Sequence, residues 1–364
     1  MDHSPFRHID SIFWKRTPIQ LTFFVTGRCN ARCPFCFYLS GNDSRNDSRN
    51  DSNGELSLDE IKKVSSSMGK LLWLAFSGGE IFLRNDIVEI TRIFYVLNKP
   101  SIILFPTNGL LTEVIREKIE EVLKLCPEST ITVKLSLEGM ENVHDRIRGE
   151  GSFRKTLQTY DAVKGLIDRY PNFELGINSV FCSENQEGMD DLIEYVRTMD
   201  AIKTHTVSLI RGTVSDERLK DIDIEKYKNV IHALADSLRT GQSKTYRFKG
   251  ARLKAAQDII QRDVIYKTLT HKKQTVPCYA GKLNLVLTEK GDVFPCESFD
   301  MKMGNVREGA YDMGEILKST AAQQVLQTIQ DTRCYCTHEC YLMTNILFNV
   351  RMYPQLIKEY VRLL

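Results

Sequence analysis

A chain of 364 residues with 42% hydrophobic and 9% aromatic content carries enough apolar material for one large domain and a smaller one. Lys+Arg 49 nearly cancels Asp+Glu 47, which excludes the one-signed charge footprint of a nucleic-acid or membrane-surface binder. Met1 to Asp10 is polar and charged where a secretory signal needs an apolar core, and no apolar run nears the roughly 20 residues that span a bilayer, so a cytoplasmic protein is expected.

From Gln20 to about Ile210, short β-branched runs alternate with helical patterns. Strands are predicted at Leu21–Val25, Leu72–Phe76, Ile102–Phe105, Ile131–Leu137, Leu175–Phe181 and Thr206–Ile210. Helices are predicted between them at Leu58–Met68, Asn85–Leu97, Leu111–Leu125, Phe153–Arg169 and Met189–Met199. Six such units predict an α/β fold, a partial (β/α)6 TIM-type barrel, with its chemistry at the carboxyl ends of the strands. The tandem Asn-Asp-Ser-Arg unit from Asn42 to Ser52 has no apolar residue and reads as a mobile loop. The resulting division is a tail at 1–17, the barrel at 18–214, a helical linker region at 215–275, a small cysteine-rich domain at 276–345 and a tail at 346–364.

The ten cysteines are clustered, which suggests metal rather than disulfides. Cys29, Cys33 and Cys36 form a CxxxCxxC run directly after the first strand. Three thiolates on one tight loop can hold three irons of a cubane and leave the fourth open to a small molecule. A structural zinc site needs four closed ligands and fits this spacing poorly. Cys126 and Cys182 stand alone and read as small buried hydrophobes.

At these residues the sequence resembles the radical S-adenosylmethionine (SAM) superfamily, with Phe35 in the aromatic slot before the last cysteine. The resemblance implies a [4Fe–4S] cluster whose open iron chelates SAM. Reductive cleavage of SAM then gives a 5'-deoxyadenosyl radical, the electron coming from an external donor such as flavodoxin or ferredoxin. Gly78, Gly79 and Glu80, closing the second strand, resemble the GGE motif that binds the amino group of SAM. Asn108 after the third strand and Ser136 at the end of the fourth are placed to meet ribose hydroxyls. Relatives commonly have an Asp where this chain has Glu138, which leaves the role of the acid open and favours Ser136 as the ribose contact. Asn178 and Arg211 are further candidates for cofactor binding.

Cys278 and Cys296 have the spacing Cx12Gx4C around a hairpin signal at Gly291, and Cys334, Cys336 and Cys340 follow. The pattern resembles the SPASM and twitch cluster domains. Five thiols match one auxiliary [4Fe–4S] cluster with one left over, and His338 is a further candidate ligand. A zinc ribbon is the competing reading of this second group. Because only 28 residues precede Cys29, a small-molecule substrate is expected, with a modified peptide as the alternative. A non-catalytic electron-transfer protein and a zinc-organised binding module are the other classes.

Overall fold

Alternation along each strand organises the fold. In the computed structural model, which describes residues 3–40, 54–298 and 300–363, six parallel strands run in the spatial order β6-β5-β4-β3-β2-β1. They are β1 Gln20–Thr26, β2 Trp73–Gly78, β3 Ile102–Thr107, β4 Thr130–Ser136, β5 Phe173–Phe181 and β6 Thr204–Leu209. Phe23, Phe76, Phe105, Val133 and Ile177 are fully buried in the main hydrophobic core. Alternate positions such as Thr22, Ala75, Lys134, Ser136 and Thr206 line the barrel interior instead. The expected partial barrel is therefore the observed fold. The repeat from Asn42 to Ser52 lies outside the described residues.

The helices that follow the cysteine loop and connect the strands are α1 Phe37–Ser40, α2 Leu58–Ser67, α3 Ile87–Asn98, α4 Thr112–Leu125, α5 Glu141–Arg148, α6 Ser152–Lys164, α7 Leu166–Arg169 and α8 Met189–Thr198. The helix expected over Phe153–Arg169 is divided in two at Gly165, where a residue without a side chain weakens helix continuity. The short α5 was not anticipated from periodicity.

Residues 215–275, expected as a helical linker region, are largely helical and also line the barrel cavity through Tyr246, Lys254, Asp258 and Gln261. They carry α9 Ile224–Arg239 and α10 Ala251–His271. Arg247, just before α10, donates its backbone N–H to Glu174 Oε1 of β5 at 2.6 Å. The buried face of α10 includes Gln257 and Gln261 beside Ile260 and Val264, so a polar strip of this helix is turned inward.

The cysteine-rich segment joins the same sheet. β7 Asn284–Leu287 pairs parallel with β1, with Gln20 opposite Asn284, and β8 Asp292–Phe294 and β9 Gly304–Asn305 continue antiparallel to give nine strands. The predicted hairpin is present. Gly291 has φ +86°, its N–H reaches Thr288 O at 3.0 Å, and Thr288 N reaches Asp292 O at 2.9 Å. Then come α11 Met313–Lys318, α12 Thr320–Asp331, α13 Glu339–Leu347 and α14 Tyr353–Arg362. The segments expected as tails are also structured. Arg7 at the start donates to Leu71 O at 2.5 Å, and α14 packs on α10.

Candidate active site and cluster sites

The first cysteine loop is held by backbone contacts that only glycine allows. Gly79 N donates to Thr26 O and Glu80 N to Arg28 O, each at 2.8 Å. A Cβ on Gly78 would stand 2.3 Å from Thr26 O, and one on Gly79 would stand 1.9 Å from Arg28 O. Gly78 also has φ +120°, in the region that side chains avoid. From the third strand, Asn108 Nδ2 donates to Asn30 Oδ1 at 2.7 Å. Three strand ends thus fix the loop that carries the thiols.

Cys29, Cys33 and Cys36 line a cavity of about 360 Å³ together with Phe35, Gly78, Gly79 and Glu80. Asn108, Ser136, Asn178 and Arg211 border the same cavity from the other strands. Every barrel residue expected to hold the cluster or SAM is therefore brought to one place. Burial pushes the Cys29 thiol up to about 11, with Glu80 and the neighbouring thiols adding to the effect, and burial also raises Cys33. Protonated thiols are poor ligands, and a cation held between them reverses that penalty, which suits an iron–sulfur cluster.

Glu80 is 2% exposed and has no basic partner within ion-pair distance among the described residues. Its carboxylate accepts from Thr107 Oγ1 and Asn108 N, each at 2.8 Å, while burial raises its pKa. A buried carboxylate that faces a cavity, with only the charge of Arg148 acting on it from beyond contact, fits an ammonium group. Arg148 supplies the opposite charge. Its guanidinium borders the cavity 5.4 Å from the Phe35 ring centre and is held by Glu138 Oε1, 2.8 Å from Nε and 2.6 Å from Nη2. The residues present thus fit an amino-acid zwitterion such as that of SAM. Glu80 would take its ammonium group and Arg148 its carboxylate.

Glu138, whose role the sequence left open, is fully buried and is an anchor for Arg148. Its other oxygen accepts from Val180 N at 2.6 Å. Ser136, two residues earlier, is the one that borders the cavity, in register with Asn178. Arg148 was missed as a site residue because its position depends on α5.

The second cysteine group surrounds the hairpin. Burial raises Cys278 to about 11 and Cys336 to about 12, with Cys334 adding to both and Cys278 to the second, and the same three thiols add to the burial that raises Cys296. Cys340 borders the main cavity. Burial raises it to about 12, with Glu297 adding to the effect. His338 is engaged at both ring nitrogens. Nε2 lies 2.6 Å from Glu297 Oε2, and Nδ1 caps α13 by accepting from Cys340 N at 3.3 Å. Arg211 also meets this group, 3.4 Å from Glu297 and 3.6 Å from Glu339, so it joins barrel to cysteine-rich domain rather than standing free as a clamp. Burial would raise Glu297, but His338 and Arg211 hold its carboxyl down to about 2.

A family model for the Radical SAM superfamily matches residues 23–196, and one described as an iron–sulfur cluster-binding domain, SPASM, matches residues 278–341. This chain is a radical SAM enzyme with a C-terminal SPASM domain. The radical SAM match implies a [4Fe–4S] cluster and SAM as cofactors, and the SPASM match implies auxiliary iron–sulfur chemistry. Among curated proteins, it is 27% identical over 306 residues to the AdoMet-dependent heme synthase of Methanosarcina barkeri, covering 80% of each chain. It is 26% identical over 303 residues to the subtilosin biosynthesis protein AlbA of Bacillus subtilis, covering 81% of this chain and 59% of AlbA. It is 26% identical over 325 residues to a PqqA peptide cyclase of Rhodopseudomonas palustris, covering 84% of this chain and 74% of that one. The radical SAM fold is seen again in anSMEcpe with bound AdoMet, at a TM-score of 0.60 and 17% identity over 95% and 97% of the two chains. No helix among the described residues is long and apolar enough to cross a membrane.

Proposed function

We propose that this radical SAM enzyme modifies a peptide, with Cys29, Cys33 and Cys36 holding the cluster that cleaves SAM. The observation that carries the peptide reading is the similarity to the PqqA peptide cyclase over 84% of this chain, with AlbA as a second relative of comparable identity. It favours a peptide over the small-molecule substrate expected from the short stretch before Cys29. When bound and reduced, the cluster and SAM supply a radical that removes a hydrogen atom from the substrate.

The chain's own part is orientation and exclusion of water. Glu80 and Arg148 take the two charges of the SAM amino-acid group, Ser136 and Asn178 face its ribose, and Arg211 ties the cavity to the SPASM domain. The thiols of Cys278, Cys296, Cys334, Cys336 and Cys340 provide for one auxiliary cluster beside the cavity. An external flavodoxin- or ferredoxin-like donor supplies the electron.

The similarity to a heme synthase favours a second reading, a small-molecule substrate of the kind from which heme is made. Anaerobically reconstituted protein with SAM and reductant, incubated with peptides encoded beside its gene, tests the two. A peptide product of changed mass, formed with 5'-deoxyadenosine, supports the peptide reading. Unchanged peptides alongside turnover of a heme precursor sink it.

A further inference from the structure

Where β4, β6 and α10 meet, the barrel interior holds more positive than negative charge. Lys134 of β4 is 8% exposed, and its ammonium donates to Thr204 Oγ1 and, at 3.3 Å, to Thr206 Oγ1, neither of which carries charge. Lys254 pairs with Asp258 one turn later on α10. Arg262, a further turn on, has Nη1 buried without a hydrogen-bond partner. Among these side chains three cations face one carboxylate, and Glu339 of α13 is the next carboxylate at this corner.

The other charges nearby are matched on one side only, since Glu174 Oε2, Arg197 Nε and Glu339 Oε1 are each buried without a hydrogen-bond partner. Glu174 of β5 faces Arg247, Arg197 of α8 faces Glu194, and Glu339 of α13 faces Arg211. His205 of β6 stays neutral, since burial and then the charge of Lys134 lower it to about 3. Its Nε2 lies 2.8 Å from Ser179 Oγ, and because that hydroxyl donates to Leu137 O, Nε2 must carry the proton.

This corner is also hollow. Arg262 borders a cavity of about 100 Å³ and Lys134 the 360 Å³ cavity of the cysteine loop, while Thr206, Tyr246, Asp258, Gln261 and Glu339 line both. Tyr227, fully buried, presents an unpartnered hydroxyl among the lining residues of the smaller space. Burying an unpaired charge costs several kcal/mol, and such charges persist where a ligand completes them. Lys134 shows the strain, with burial and then the charge of Lys254 bringing its pKa down to about 7.

We propose that Lys134 and Arg262 form a carboxylate-recognition subsite at the inner end of the substrate cavity, which takes an acidic side chain of the substrate. The peptide part of this assignment rests on the reading given under Proposed function, whereas the carboxylate part rests on the charges and the cavity. Asp258 and Lys254 hold the mouth of the subsite in place, and the Tyr227 hydroxyl offers a neutral donor beside Arg262.

The full-length reconstituted protein with SAM is titrated with three probes: N-acetylated, C-amidated Gly-Glu-Gly, its Gly-Gln-Gly counterpart, and glutarate. One charge-assisted contact predicts about 10- to 150-fold tighter binding of the Glu peptide than of the Gln peptide. That preference should fall towards unity in Lys134→Met and Arg262→Gln, and Arg262→Lys, which keeps the charge, should retain most of it. Glutarate that binds through both residues as tightly as the Glu peptide supports the subsite and counts against the peptide reading. Equal affinity for the Glu and Gln probes, or an undiminished preference in Arg262→Gln, overturns the proposal.

Discussion

Arg148 Nη2 lies 2.6 Å from Glu138 Oε1, an ion pair in which the carboxylate is wholly buried and the guanidinium side chain only 10% exposed. The pair connects the end of β4 to the cysteine loop, since Arg148 also lies against Phe35. Replacing Arg148 by Met removes the cavity's charge for a carboxylate, and SAM should bind about 10- to 150-fold more weakly. Glu138→Gln leaves the arginine without its counter-ion, and breaking one side of a buried pair costs about 3–5 kcal/mol. Calorimetric SAM titration and urea unfolding separate the two effects. Parental SAM affinity in Arg148→Met would remove the residue from the site.

Glu80→Gln keeps the shape of a buried side chain while removing its charge. SAM affinity should fall by about 10- to 150-fold. Stability should fall by about 1–3 kcal/mol, because the new amide nitrogen cannot accept from the N–H of Asn108 or Phe82 that one carboxylate oxygen now satisfies. A variant with an unchanged dissociation constant would mean that Glu80 serves only to tie β2 to Thr107 and Asn108.

The two cysteine groups should be separable by iron analysis. Replacing Cys29, Cys33 and Cys36 by Ala should abolish 5'-deoxyadenosine formation under strong reductant while leaving the SPASM iron and sulfide in place. Replacing Cys278 and Cys296 should cut the iron from about two clusters per chain to about one while SAM cleavage continues. Since five thiols exceed the four that one cubane uses, one of the single Ala variants at Cys334, Cys336 and Cys340 should keep the parental iron content. Zinc without acid-labile sulfide in the C-terminal site would instead establish a zinc ribbon.

Glu60 latches the barrel to the SPASM domain. Its Oε1 meets Arg307 Nε at 2.7 Å and Tyr311 Oη at 3.0 Å, while Oε2 closes a capping box with Ser57 N at 2.9 Å. The hydrogen bond from Arg307 is the main reason its carboxyl is held down at about 2, below the ordinary value of 4.5. A folded-state value below the unfolded one contributes stability that is complete above the unfolded pKa and is lost as pH falls towards 2. Allowing for solvent around Arg307, the contribution is about 1 kcal/mol. Urea midpoints of the parent and Glu60→Gln should therefore differ at pH 7 and converge on acidification below pH 4. A constant difference across that range would show that the charge does not carry the contact.

The sequence by itself determined the parts whose signals are local. A strand announces itself within a few residues by β-branched alternation, so β1 to β6 were legible to within two residues at every end. Three thiols in eight residues and a hairpin glycine carry their chemistry in their spacing. Only the tertiary structure decided which distant segments share a wall. The hairpin segment adds β7 to β1, making barrel and SPASM domain one nine-stranded sheet, because β1 presents an edge whose backbone groups need partners. Arg148 and Glu138, Glu297 and His338, and Lys134 with Arg262 are ordinary residues in isolation. Their meaning comes from burial and from the charges opposite them, and those depend on contacts between segments that no local pattern encodes.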